Sequence, residues 1–121
     1  GQPLRHRLVS ALERIGAHER GLASRLHREL GRINGVTLYG PSFEVPRRAP
    51  TVSFTVKGHT ATEVCARLAE MGICTWDGHF YALRAIEKLG LLKNGGVTRV
   101  GFALYNTDEE VERLLDVVRL L

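Results

Sequence analysis

The chain has 121 residues, enough for one domain that buries roughly two-thirds of the surface its unfolded form exposes. Apolar residues make up 44% and charged residues 25%, and no apolar run approaches the ~18 residues of a membrane span. The net charge is +4, but the arginines are spread along the chain and are not grouped with aromatic side chains. These values favour a globular domain with neither a membrane nor a nucleic acid as partner.

The N-terminal segment and the two cysteines indicate where in the cell the protein is expected and whether it contains a disulfide. Residues 1–12 alternate Arg and His with Leu and lack the apolar core of an export signal, so we expect a cytoplasmic protein. Cys65 and Cys74 fall in segments typical of a helix and a strand, where free cysteines are usually small buried side chains. We expect neither a disulfide nor a metal site.

The first element is a long amphipathic helix over residues 1–31. Apolar residues recur at intervals of three and four, the helical period, and arginines fall mostly between them. The apolar positions are Leu4, Leu8, Leu12, Ile15, Leu22, Leu26 and Leu30. A helix of this length either packs across a sheet or bridges to another part of the protein.

Two strands joined by a proline-rich loop follow this helix. Val36–Tyr39 is a short strand that ends at a Gly-Pro pair, and residues 42–50 form the loop. Thr51–Val56 alternates in polarity and is rich in β-branched residues, which favours a second strand. We place no domain boundary in this region.

A capping box marks the next helix, because Thr60 is followed three residues later by Glu63. Its predicted buried face consists of Val64, Leu68 and Met71. Gly72 then ends the helix in the left-handed conformation. Ile73–Trp76 is predicted to return as a strand, and an Asp-Gly turn follows it.

The last part of the chain predicts a helix, a strand and a final helix. Phe80–Leu89 is helical, and Val97–Leu104 is a strand in which Arg99 shares a face with small residues. A second capping box, formed by Thr107 and Glu110, opens the final helix. The buried stripe of that helix is predicted to be Val111, Leu114, Leu115 and Val118. Short strands with helices on one face predict an α+β two-layer domain with a small, mostly antiparallel sheet.

Several short motifs occur in a fixed order along the chain. Val-Thr-Leu-Tyr-Gly-Pro, Gly-His-Thr, Met-Gly-Ile and Gly-His-Phe-Tyr-Ala precede Thr-Arg-Val-Gly-Phe-Ala-Leu-Tyr-Asn-Thr-Asp-Glu-Glu-Val at residues 98–111. Together they resemble the C-terminal small domain of a class V aminotransferase or cysteine desulfurase. Enzymes of this type use pyridoxal phosphate (PLP).

This resemblance implies that residues 1–121 are a single C-terminal domain, with the long helix at 1–31 and an α/β sandwich at 36–121. It also implies that the large PLP-binding domain is absent from the chain. The family's reaction needs a lysine that forms a Schiff base with PLP. The only lysines are Lys57, Lys88 and Lys93, and none belongs to a histidine-lysine pair of the family's kind.

For Arg99 the resemblance implies that it holds the α-carboxylate of an amino-acid substrate. The chemistry agrees, because a planar guanidinium grips a carboxylate with two parallel hydrogen bonds. A surface or inter-domain salt bridge is the other interpretation of an arginine here. No acidic residue neighbours it in the predicted strand.

The Gly-His-Phe-Tyr-Ala motif departs from that of the desulfurases, which have Gly-His-His-Cys-Ala. Their cysteine is the nucleophile that takes sulfur from the substrate as a persulfide. Tyr81 occupies that position, and a phenol cannot accept sulfane sulfur, so the resemblance is to a desulfurase-like subgroup without the catalytic cysteine. Cys74 does not obviously replace it. The candidate pocket residues beside Arg99 are Trp76, His79 and Tyr81.

The leading hypothesis is a PLP-dependent, homodimeric enzyme that acts on an amino acid, of which this chain alone is inactive and binds no cofactor. A stand-alone ligand-binding or regulatory module of ferredoxin-like character is an open alternative. Nucleic-acid binding is ranked last. An apolar surface left exposed on the long helix would favour the enzyme over the stand-alone module.

Overall fold

The computed structural model describes all 121 residues, which form four helices and four strands. In chain order they are α1 (Leu4–Leu30), β1 (Val36–Tyr39), β2 (Thr51–Val56), α2 (Ala61–Glu70), β3 (Trp76–Gly78), α3 (Leu83–Lys88), β4 (Val97–Gly101) and α4 (Asp108–Arg119). The predicted order of helices and strands is confirmed, as is the long first helix. None of the helices combines the length and hydropathy needed to cross a bilayer.

The strands form one antiparallel sheet in the order β1-β2-β4-β3. Its register places Val52 opposite Val100 and Ser53 opposite Arg99 on β2 and β4. Because successive residues of a strand point to opposite faces, the two valines face the core and the serine and arginine face away from it. The α+β fold predicted from the sequence is confirmed.

Helices α1, α2 and α4 pack with the sheet around one hydrophobic cluster. Its buried members are Leu22, Ala23, Leu26, Leu30, Val52, Phe54, Val56, Val64, Leu68, Val100, Val111, Leu114, Leu115 and Val118. Burying each of the larger side chains stabilises the fold by about 1.5–3 kcal/mol. From α1 this cluster takes only residues in the C-terminal part, so the N-terminal leucines contribute nothing to the core: Leu4, Leu8 and Leu12 are 68%, 56% and 67% exposed.

Both predicted capping boxes are present. The Thr60 hydroxyl accepts the Glu63 amide at 3.2 Å, and the Thr60 amide donates to the Glu63 carboxylate at 2.7 Å. The corresponding distances between Thr107 and Glu110 are 3.3 and 3.1 Å. The hydrogen bond from the Thr60 amide is the main cause of a lowered pKa at Glu63. These local contacts fix where α2 and α4 begin.

Three predicted element limits were wrong. The third strand is Trp76–Gly78 instead of Ile73–Trp76, because only these residues pair with β4 at the sheet edge. Strand β4 ends at Gly101, where the amide of the next residue, Phe102, donates to Pro50 just before β2 begins. Helix α3 begins at Leu83, because Phe80 and Tyr81 have positive φ angles that a helix does not contain.

Two predictions of burial were also wrong. Met71 is 58% exposed, because it follows the last residue of α2 at the point where the chain turns away through Gly72, which has φ of +74°. Cys74 is exposed in the connection before β3, whereas Cys65 is half-buried and accepts a hydrogen bond from the Thr75 hydroxyl at 3.1 Å. Burial raises the pKa of the Cys65 thiol. Both cysteines are free.

Candidate functional site

Arg99 lies in the middle of β4 on the sheet face opposite the hydrophobic core. It pairs with Ser53 of β2 on one side and with Trp76 of β3 on the other. Directly opposed residues of neighbouring strands share a face and can contact each other. The Trp76 side chain is 72% exposed, so a large aromatic surface flanks Arg99 on the solvent side.

An open pocket of about 720 Å³ lies between Arg99 and the segment that follows β3. Its lining consists of Trp76, Asp77, Gly78, His79, Phe80, Tyr81 and Arg99. The pocket therefore brings together Arg99 and the three candidate pocket residues predicted with it. Phe80 was missed as a site residue, and its only signal in the sequence was its place beside Tyr81 in the Gly-His-Phe-Tyr-Ala motif.

The Arg99 guanidinium has no acidic partner. It takes part in none of the salt bridges of the chain and donates no hydrogen bond, unlike Arg25, which binds two carboxylates of α4. Asp77 lines the same pocket, but its carboxylate accepts the Thr62 hydroxyl at 2.6 Å, and its backbone pairs with Thr98, whose side chain is buried toward the core. The guanidinium N–H groups of Arg99 are therefore free to bind a ligand.

Phe80 makes a cation–π contact with the Arg99 guanidinium. The central carbon of the guanidinium lies 3.8 Å from the centroid of the Phe80 ring, well within the range of such a contact. Phe80 and Tyr81 have φ angles of +51° and +61°, which place two consecutive non-glycine residues in the left-handed region. This conformation turns Phe80 toward Arg99 and leaves Tyr81 fully exposed, with 100% of its surface accessible.

His79 stabilises this turn. Its Nδ1 accepts the Tyr81 amide at 3.1 Å, and its carbonyl accepts the Ala82 amide at 2.8 Å. The rings of His79 and Tyr81 meet edge to face with centroids 6.4 Å apart. In the structure His79 therefore acts within the turn as a hydrogen-bond acceptor.

The exposed thiol beside the site belongs to Cys74. No cysteine lines the Arg99 pocket, but Cys74 lines an adjoining pocket of about 300 Å³ together with Trp76 and Arg99. The sequence placed Cys74 on a strand before the motif, and the structure brings it to the edge of the same surface.

The lysines lie elsewhere. Lys57 follows β2, Lys88 ends α3 and Lys93 lies in the turn before β4, and none lines the Arg99 pocket. Nowhere do three or more His, Cys, Asp or Glu side chains gather so as to hold a metal ion. The Arg99 guanidinium has the donor geometry that can bind a carboxylate, and no lysine of this chain lies where it could form a Schiff base in the same pocket.

The sequence of the chain is similar to those of known proteins. A probable cysteine desulfurase of Mycobacterium leprae is 35% identical over 119 residues, which cover 98% of this chain and 18% of the relative. An aminotransferase-like protein of Gibberella zeae is 35% identical over 111 residues, which cover 88% of this chain and 27% of the relative. The chain thus spans between about a fifth and about a quarter of these relatives' length.

Solved structures agree with the sequence comparison. The apo cysteine desulfurase of Thermococcus onnurineus has a TM-score of 0.82 and 34% identity, with 96% of this chain and 28% of that chain covered. A cysteine desulfurase of Escherichia coli has a TM-score of 0.73 and 25% identity over 85% of this chain and 24% of its own. Residues 7–114 match the family described as Aminotransferase class-V. Because that match covers most of its length, the chain belongs to the class-V aminotransferase family.

Proposed function

We propose that this chain is the small domain of a PLP-dependent enzyme that acts on an amino acid, and that Arg99 binds the α-carboxylate of the substrate. The observation that carries the proposal is the unpartnered guanidinium of Arg99 in an aromatic pocket of a class-V aminotransferase domain. An arginine that served only as a surface ion pair would have an acidic partner, and Arg99 has none.

The pocket suits a carboxylate for two physical reasons. A guanidinium offers N–H groups in a planar fork that matches both oxygens of a carboxylate. The aromatic side chains around it exclude part of the surrounding water, and a charge-assisted hydrogen bond is stronger where water is displaced. Trp76 and Phe80 supply that apolar surface beside Arg99.

PLP would supply an electron sink for bonds at the substrate α-carbon. We place the residues that hold it on another part of the protein, because no lysine lines the pocket of this chain and the chain spans only 18% of its M. leprae relative. Residues 1–121 are proposed to contribute substrate binding alone. They would be inactive without the cofactor-binding part.

Sulfur transfer through the motif loop is not part of the proposal. Tyr81 occupies the position of the desulfurase cysteine, is fully exposed and carries a phenol, which cannot form a persulfide. Cys74 lies at the edge of the site but not in the Arg99 pocket. The proposed activity is therefore a reaction at the α-carbon of an amino acid, without a thiol supplied by this loop.

The exposed half of α1 favours a domain that works as part of a larger protein. Leu4, Leu8 and Leu12 are all more than half exposed, and apolar surface of this kind usually marks an interaction site. A stand-alone ferredoxin-like module would pack the apolar face of its longest helix within the domain and expose only the polar face. We propose that the complete protein is a homodimer, as the family resemblance implies, and that it is cytoplasmic.

The test is the visible absorption spectrum of the protein expressed from its full reading frame, recorded before and after L-amino acids are added. We expect a cofactor band that shifts with the substrate. Arg99→Lys should weaken amino-acid affinity about 10- to 100-fold, since a hydrogen bond to a charged group contributes about 1.5–3 kcal/mol. Arg14→Lys, on the exposed surface of α1, is the matched control.

Two results would count against the proposal. If the full-length protein showed no cofactor band, the hypothesis of a PLP-dependent enzyme would be excluded and the stand-alone module would be favoured. If the band shifted and the affinity for the amino acid were equal in the wild type and in Arg99→Lys, the protein would still be a PLP-dependent enzyme, but Arg99 would not bind the carboxylate.

A further inference from the structure

We infer that Phe80 is a positioning residue for Arg99, and that its ring holds the guanidinium in the plane in which its N–H groups meet a carboxylate. The inference rests on the proposed function and adds a second residue to it. The desulfurase motif has His at the Phe80 position, so the ring is a feature of this chain.

The Phe80 ring is the only cation–π partner of the Arg99 guanidinium, which has no hydrogen-bond or salt-bridge partner. The chain has two other arginines over an aromatic ring, Arg48 at 3.9 Å and Arg20 at 5.7 Å from the centroid of Phe43. Both are also held by backbone carbonyls, since Arg48 donates to Thr51 and Arg20 donates to Phe43 and Val45. Arg99 has no such bond, so the contact with the Phe80 ring is the one directional interaction that restricts its head group.

The backbone around Phe80 fixes the ring in turn. Left-handed φ angles at Phe80 and at the next residue are unfavourable for non-glycine residues, and such conformations persist where the surroundings impose them. His79 imposes this one, because its ring nitrogen and its carbonyl accept amides from the two residues that follow Phe80. On the other side, Gly78 is packed against Gly96 so closely that a Cβ at Gly96 would lie 2.0 Å from the Gly78 oxygen.

The stacked geometry leaves the N–H groups at the edge of the guanidinium free to bind a carboxylate. The distance of 3.8 Å from the guanidinium carbon to the ring centroid is close to the contact distance of two planar groups that lie face to face. In that arrangement the N–H bonds all lie in the guanidinium plane, so none is consumed by the contact. A carboxylate that forms two parallel hydrogen bonds also binds in that plane. The ring therefore removes water from a face that the ligand does not use and restricts rotation of a long side chain that would otherwise be ordered only on binding.

The experiment is NMR of the 121-residue chain with ¹⁵N-labelled arginine, with acetate as the carboxylate probe. Three quantities are read from the Arg99 Nε–Hε signal: its ring-current shift, its ¹⁵N relaxation and its movement as acetate is added. Phe80→Leu removes the ring and Phe80→Tyr keeps it. Phe43→Leu is the matched control, because it removes the ring from Arg48 and Arg20, and Phe43 does not contact Arg99.

We expect an upfield-shifted and ordered Arg99 signal in the wild type and in Phe80→Tyr. Phe80→Leu should lose the shift, gain mobility at Nε and bind acetate about two- to fivefold more weakly, the size of one exposed cation–π contact. Phe43→Leu should match the wild type in all three. The thermal unfolding midpoint of each variant separates a change at Arg99 from a change in the whole fold.

Two outcomes would overturn the inference: a wild-type Arg99 signal without a ring-current shift, which needs no variant to detect, or Phe80→Leu with unchanged Nε mobility and acetate affinity. Failure of the proposed function gives a different result. In that case acetate would not move the Arg99 signal in any variant, while the shift and relaxation would still report whether Phe80 holds Arg99.

Discussion

Replacing Gly96 with alanine would push a methyl group into the backbone of β3. Gly96 lies in the turn before β4 with φ of +87°, and a Cβ built on it would lie 2.0 Å from the carbonyl oxygen of Gly78 and 2.3 Å from its carbonyl carbon. Non-bonded carbons in proteins lie about 3.5–4.0 Å apart. Both contacts are with backbone, so no side chain can swing away to relieve them.

The expected cost has two parts. Alanine in the left-handed region costs about 1–2 kcal/mol. Moving Gly78 away breaks its pairing with Val97 at the edge of the sheet, and the loss of one or two hydrogen bonds adds about 1–2 kcal/mol. We therefore expect Gly96→Ala to lower the free energy of unfolding by about 2–4 kcal/mol.

Urea unfolding followed by circular dichroism and extrapolated to zero denaturant measures this quantity. Gly58→Ala is the matched control, because Gly58 has φ of +86° and no atom within 4 Å of the added Cβ. It should show the backbone part of the cost alone, about 1–2 kcal/mol. If the two variants were equally destabilised, the close approach of Gly96 to Gly78 would contribute nothing and the reasoning would be wrong.

Four further predictions concern the N-cap of α2, the pH dependence of the same cap, an ion pair and the cysteines. Thr60→Ala should lower the free energy of unfolding by about 1 kcal/mol by chemical denaturation, since it removes the N-cap hydroxyl of α2. The hydrogen bond from the Thr60 amide lowers the pKa of Glu63, so the stability that this carboxylate contributes is present above its unfolded pKa. It should be lost as the pH falls through the lower folded value, and melting temperatures measured from neutral to acidic pH check this. Arg25→Gln leaves two carboxylates of α4 without their partner and should lower the free energy of unfolding by about 1 kcal/mol. The decrease should be smaller in high salt, because salt screens exposed charges. An equal decrease at low and high salt would contradict an ionic origin. Iodoacetamide should modify Cys74 before Cys65, because the first thiol is exposed and burial raises the pKa of the second; peptide mass spectrometry gives the order, and the reverse order would contradict the structure.

The elements that the sequence predicted best are those with local signals. Helix α4 begins after its capping threonine, Thr107, and buries the four residues predicted for it, because capping and the 3.6-residue period depend only on near neighbours. Strand β3 was misplaced, since its limits depend on which residues of β4 it meets across the sheet. Cys74 and Met71 were misjudged for a similar reason: each lies next to a chain reversal, where periodicity no longer determines burial.

In the candidate site, too, some features could be predicted from the sequence and others depend on contacts between distant residues. Arg99, Trp76, His79 and Tyr81 were predicted together from a family resemblance, and the structure places all of them around one pocket. The contact between Arg99 and Phe80 could not be predicted, because it joins residues far apart in sequence. It also needs two consecutive left-handed residues, which local propensity disfavours.

The way in which α1 is anchored gives the domain a mechanical property. Its most N-terminal hydrogen bonds to the rest of the domain are made by His18, to the Asn106 carbonyl, and by Arg20, to Phe43 and Val45. The part from Leu4 to Ala17 therefore extends roughly 21 Å beyond these anchors at about 1.5 Å per residue. A rigid rod held at one end converts a small tilt at its base into a larger displacement at its tip, and a tilt of about 10° would move the first turn by about 4 Å. Any structure bound to Leu4 in that first turn would shift by the same amount relative to Arg99, and α1 would act as a lever.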